Sequence, residues 1–102
     1  MSTGKKLTEA TLLSLLPSVM AFKGLCSDCN DATSTGFYRC DVRTPNAPIE
    51  TIGFLVTLIV NLFNGDKIAA QIFISNLNKL YMRNSWAASA WNWKPWREFA
   101  AV

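Results

Sequence analysis

Short runs of hydrophobic residues, spaced by turn residues, dominate the chain from position 36 onward. They are GFYRCDV (36–42), TIGFLVTLIV (51–60), AAQIFIS (69–75), LYMRNSW (80–86) and WNWKPWREF (91–99). β-Branched and aromatic residues dominate these runs, and Gly, Pro and Asn punctuate them, which is the pattern of strands. Asn64-Gly65 is a hairpin signal, and Asn76 to Lys79 reads as a second turn. Pro45 and Pro48 forbid a central strand between the first two runs. With connections this short, consecutive strands are expected to pair as an antiparallel meander. The expected fold class is therefore mainly β, a small meander or sandwich-like knob after a short helical or irregular N-terminal segment.

That leading segment contains LTEATLLSLL (7–16), apolar at 7, 10, 12, 13, 15 and 16 and stopped by Pro17. A short amphipathic helix or turn is expected there. GLCSDCNDATSTG (24–36) is small and polar and reads as a loop. Strand periodicity then assigns faces. Gln71 and Phe73 share one side, opposite Ile72 and Ile74, and Tyr81 shares a side with Arg83. Phe37 and Tyr38 point to opposite faces, and Gly36 permits a backbone conformation that a side chain would exclude.

Composition narrows the function. The chain has 102 residues, half of them apolar, enough for one core. A net charge of +3 with scattered basic residues does not argue for nucleic acid. The longest apolar stretch, IGFLVTLIVNLF (52–63), has twelve residues where a spanning helix needs about twenty, so no membrane insertion is expected. No signal peptide is expected either, because Thr8, Glu9 and Thr11 interrupt the N-terminal apolar run.

Histidine is absent and cysteine is odd in number, at three. Cys26 and Cys29 form C-S-D-C, followed by Cys40. Three thiolates without imidazole hold zinc only with a carboxylate or a water as fourth ligand. The expected reading is instead small, half-buried packing cysteines, with no metal and no cofactor. The carboxylates (Glu9, Asp28, Asp31, Asp41, Glu50, Asp66 and Glu98) lie mostly in turns, whereas glycoside hydrolysis needs a suitably placed pair. No serine or cysteine has a histidine to activate it, and no enzymatic activity is expected.

The succession of motifs is more specific than any one of them. TGFYRC (35–40) is followed by NAP (46–48), GFLVTL (53–58), QIFIS (71–75), KLYMR (79–83) and PWREF (95–99). Over about residues 24–99 this order resembles the pyocin-knob domains of R-type pyocin and tailed-bacteriophage fibres. The matching positions are Thr35, Gly36, Phe37 and Tyr38; Pro48; Gly53, Phe54 and Leu55; Gln71, Ile72 and Phe73; Leu80, Tyr81 and Arg83; and Trp93, Trp96, Arg97, Glu98 and Phe99. SWAASAWNWKPW is longer and richer in tryptophan than the corresponding family hairpin.

The resemblance implies a tail-fibre or tail-tip protein that attaches a phage, or a phage-tail-like particle, to its host. It implies a homotrimer joined to other virion tail proteins and a host cell-surface polysaccharide or envelope receptor as target. It implies a location on the virion tail after synthesis in the host cytoplasm. Residues 1–23 are then an N-terminal attachment segment and 24–102 the knob-like β domain. The alternative is a structural virion protein (fibre, collar or baseplate adaptor) that uses its aromatic surface for assembly.

All four tryptophans lie between 86 and 96. Trp96 and Phe99 fall in the family-like closing strand and are expected in the core with Gly36, Phe37, Tyr38 and Gln71. Trp86 and Trp91 flank the small-residue loop AASA, which presents large rings rather than burying them. The expected receptor- or glycan-binding residues are Trp86, Trp91, Trp93 and Tyr81, with Arg83 and Lys94 for anionic groups. Two alternatives stand beside this: pairing of Arg83 with Glu98, and packing of Trp86 and Trp91 against a neighbouring subunit or the N-terminal segment.

Overall fold

The first four β-rich runs form strands in the computed structural model, which describes residues 21–88 and 90–99, and the run 91–99 does so only at its last three residues. The segment 7–16, expected to be helical, lies outside the described residues. The strands are β1 (Phe22–Leu25), β2 (Gly36–Cys40), β3 (Gly53–Asn61), β4 (Lys67–Ser75), β5 (Leu80–Ala87) and β6 (Arg97–Phe99). They make one sheet in chain order, and every neighbouring pair from β2 onward is antiparallel. The fold is thus mainly β and a meander. Among the described residues there is one sheet rather than a two-sheet sandwich.

Strand β1 is the exception, because it pairs parallel to β2 through Phe22↔Phe37 and Leu25↔Arg39. It crosses the boundary drawn between residues 23 and 24, and it occupies part of a segment that reads as loop. FKGL shows no alternation to announce a strand. Its backbone is held from β2 and just beyond it: Phe37 N donates to Ala21 O at 3.1 Å, and Cys26 N to Arg39 O at 2.8 Å. Gly36 makes this approach possible. Its φ is 151°, and a Cβ there would lie 2.6 Å from Ala21 O.

The Asn64-Gly65 hairpin is wider than the two-residue form. Leu62 N donates to Asp66 O, and the Asn64 side-chain oxygen accepts from Asp66 N. At the next turn Asn78 takes the left-handed conformation that asparagine tolerates.

Register fixes the two faces. Leu55, Phe73 and Tyr81 align across β3, β4 and β5, and Thr57, Gln71 and Arg83 form the next row. This face is buried beneath the loops that follow β1 and β2. Its core is Cys26, Cys29, Ala32, Cys40, Leu55, Phe73 and Tyr81, with Tyr38, Ala47, Ile49 and Trp96 packed against it. Full burial of Phe73 alone contributes about 2–3 kcal/mol. Tyr38 packs against this core, whereas Phe37, opposite Val56, faces the other side beside Phe22, which corrects the expectation that it is core.

The other face is apolar and exposed. Phe54, Leu58, Val60, Ile74, Met82 and Trp86 lie on it, and no described residue forms a second layer over them. Phe99 joins them, which corrects the expectation that it is core. The register Leu80↔Phe99 turns its ring to the uncovered side, where it is 51% exposed. Trp96, three residues earlier and outside β6, folds back onto the core side and packs edge-on to Phe73 at 6.4 Å.

Candidate functional site

The site is built where the loop after β1 meets the segment 91–96. Cys29–Asp31 forms a single 3-10 turn, which Asp28 caps by accepting from Asn30 N at 2.8 Å. The Asn46 side-chain amide donates to the same Asp28 oxygen, tying this loop to the one after β2. The main-chain carbonyls of the turn are all taken up, that of Asp31 locally by Thr33 N and the others by side chains of the sheet and the arm. Gln71 Nε2 donates to Cys29 O at 2.8 Å and to Ala32 O at 3.2 Å, and Thr57 Oγ1 donates to Ala32 O. Trp93 Nε1 donates to Asn30 O at 3.2 Å, and Trp96 Nε1 to Asn46 O at 2.8 Å.

Segment 91–96 is an extended arm rather than a full strand. It meets β5 through a single bridge, Ser85↔Trp93, with Asn92 N bonded to Ser85 Oγ and Lys94 N to Asn84 O. Pro95 has no amide hydrogen to continue the ladder, and pairing resumes only at Arg97. The arm therefore lays its indoles over the buried face instead of extending the sheet.

Those indoles form a column. Trp91 stacks on Trp93 with centroids 5.7 Å apart and planes 10° from parallel. The Arg83 guanidinium lies next, 4.6 Å from the Trp93 ring, and Trp96 follows 4.5 Å beyond it. A cation between two ring faces is attracted by both. Burial pulls the Arg83 pKa below its ordinary value, while Cys29 and Asp28 act the other way. A guanidinium nevertheless stays protonated. Its Nε donates to Gln71 Oε1 at 2.8 Å, and one terminal nitrogen, Nη2, is buried without a partner.

Trp91 is the outer member of the column and remains part-exposed. Around it and Trp93 an open cleft is lined by Asn30, Asn46, Asn92 and Lys94. Flat apolar rings ringed by amide and ammonium donors suit a polyhydroxylated ligand, whose C–H faces stack while its hydroxyls bond to the rim. A neighbouring, more enclosed depression is lined by Arg83, Asn84, Lys94, Arg97 and Glu98, three cations and one carboxylate.

The structure brings Trp91, Trp93, Lys94 and Arg83 together as expected, and it places Tyr81 and Trp86 elsewhere. Tyr81 is only 9% exposed and meets Phe73 edge-on, so it is core rather than a receptor contact. Its odd-numbered position places it on the covered face. Arg83, 7% exposed, shares that face and lines the cleft from its floor, where it holds the rings from within. It does not pair with Glu98, which lies 4.0 Å from Lys79. Trp86 is exposed, but its even-numbered position turns it to the opposite apolar face, where Nε1 bonds to Asp66 Oδ2 at 2.8 Å. It is therefore not part of the cleft.

Asn30 and Asn46 are cleft residues that strand parity does not identify. Both come from loops, and the available signals were the Asn30-Asp31 and Pro45-Asn46 turn dipeptides; Asn46 takes a left-handed backbone.

Beneath the column, the three cysteines converge. Their sulfurs all lie within 4.8 Å of one another, and all three residues are buried and free. Hydrogen bonds from Cys29 and then Cys40 lower the Cys26 pKa to about 4. The same bonds to Cys26 raise the other two thiols, Cys40 to about 12.

Comparison with protein-family models, curated proteins and solved structures finds no match for this chain.

Proposed function

We propose that this protein is a non-catalytic carbohydrate-binding domain that attaches a phage, or a phage-tail-like particle, to host surface polysaccharide. The observation that carries the binding part is the Trp91–Trp93 stack, part-exposed and held from behind by Arg83 and Trp96. Large rings fixed before the ligand arrives lose little conformational entropy on binding. The order of motifs that resembles pyocin-knob domains supports the attachment context. A single cleft of this kind binds weakly, and several copies on one particle give firm attachment through effective concentration.

The deciding experiment is adsorption of purified protein to host cells, with competition by soluble surface polysaccharide. Binding that free polysaccharide displaces supports the reading. Binding that survives polysaccharide removal but not protease treatment of the cells contradicts it.

A second reading is favoured by one specific observation. The uncovered apolar face, with Phe54, Ile74, Met82 and Phe99, suits burial against a second copy of the chain. On that reading the protein is a structural virion component, its trimer assembled through this face, and the cleft is secondary.

A further inference from the structure

We propose that Cys26, Cys29 and Cys40 form a binding site for one zinc(II) ion. The proposal goes beyond carbohydrate binding and stands independently of it. All three sulfurs lie within 4.8 Å of one another, and the three residues are buried and free of disulfides. Zinc–thiolate bonds of about 2.3 Å place two ligand sulfurs roughly 3.8 Å apart in a tetrahedral site. Small side-chain rotations thus bring the cluster to coordination distance.

The backbone already holds the ligands from both sides. Cys26 follows β1 directly, Cys29 opens the 3-10 turn three residues later, and Cys40 ends β2. Cys26 N donates to Arg39 O, next to Cys40, and Cys29 N donates to Pro45 O at 3.1 Å. Gln71 fixes the Cys29 carbonyl from below. A disulfide would use two of the sulfurs and leave the third without a role, whereas a metal uses all of them. Soft thiolates select zinc over magnesium or calcium.

A second observation is a buried cation near the cluster. Arg83 is buried with Nη2 unpartnered, and the single ion pair among the described residues is Lys79–Glu98. Arg83 reaches the cluster through Gln71, which accepts from its Nε and donates to Cys29 O. Three thiolates around a divalent ion leave one negative charge, which complements the guanidinium. A shallow depression beside Cys26, bordered by Asp28 and Tyr38, gives water access for the fourth coordination position. The ion would staple the loop carrying Asn30 to the end of β2, a device suited to a core this small.

The test is native mass spectrometry of the full chain, purified under reducing conditions and mixed with zinc sulfate. One zinc per chain is expected, removable by a chelator, with melting temperature falling by about 10 °C on removal. Cobalt(II) in place of zinc should give thiolate-to-cobalt charge-transfer absorption, absent in Cys40→Ser. Because Cys40→Ser also disturbs the core, the wild-type mass carries the decision. A metal-free mass in excess zinc, a mass lighter by one disulfide, or uptake of copper(I) but not zinc overturns the proposal.

Discussion

Arg83 on β5 donates its Nε–H to Gln71 Oε1 on β4, directly across the strand pair, at 2.8 Å. Gln71 is fully buried and passes the connection on to the carbonyls of Cys29 and Ala32. This one amide therefore joins the sheet, the loop after β1 and the cation inside the tryptophan column.

Gln71→Leu keeps the volume but leaves Arg83 Nε and the Cys29 carbonyl without their partner in a buried site. Losing hydrogen bonds of this kind, one of them to a charged group, is expected to cost about 3 kcal/mol. Urea unfolding should show a lower midpoint with an unchanged slope. A loss under about 1 kcal/mol would mean that water replaces the amide.

Trp96 and Phe99 stand three residues apart and should behave differently. Trp96→Ala removes a ring packed on Phe73 and Arg83 and is expected to cost about 3 kcal/mol. Phe99→Ala removes a half-exposed ring and should cost about 1 kcal/mol or less in the monomer. Paired denaturation curves check this, and equal losses would restore Phe99 to the core.

The order of strands and the two turns were legible because short β-rich runs alternate with turn residues, whereas the covered face was not, since β3 is apolar on both sides. Parity alone placed Gln71 with Phe73, and Tyr81 with Arg83. That same parity already argued that Tyr81 and Arg83 share the side of Phe73 once the register between β4 and β5 is known. Register is set by turn geometry, and the Asn64-Gly65 loop is longer than its dipeptide suggests. β1 was hidden because it is short, unpatterned and parallel. The cleft was half legible. Trp91 and Trp93 announced themselves by type and spacing, but Asn30 and Asn46 arrive from loops whose approach is set by tertiary contacts. The convergence of Cys26 and Cys29 with Cys40 likewise depends on where β2 ends.

Phe54 and Ile74 are cross-strand partners on the uncovered apolar face. If the trimer assembles there, Phe54→Lys with Ile74→Lys should give a monomer in sedimentation velocity where the wild-type chain sediments as a trimer. Each substitution is at the surface, so monomer stability should change by about 1 kcal/mol or less. A wild-type chain that is itself monomeric at high concentration removes this face as the trimer interface.

Lys94 lies on the rim of the cleft and is exposed. Lys94→Gln should weaken binding to an acidic polysaccharide by up to about fivefold and flatten its salt dependence. Binding to a neutral polysaccharide should be unaffected. Titration against both at low and high salt separates a charge contact from a packing role.

Carbohydrate binding depends most on Trp91, the outer, part-exposed ring of the column. The direct measurement is the affinity of wild-type protein, Trp91→Ala and Trp86→Ala for immobilised host surface polysaccharide, each paired with a melting curve. Loss of ring stacking in Trp91→Ala should weaken binding about tenfold, equivalent to ~1.4 kcal/mol, with little change in melting temperature. Trp86→Ala, on the opposite face, should bind like wild type. Undiminished binding by Trp91→Ala, or a loss confined to Trp86→Ala, would contradict the account.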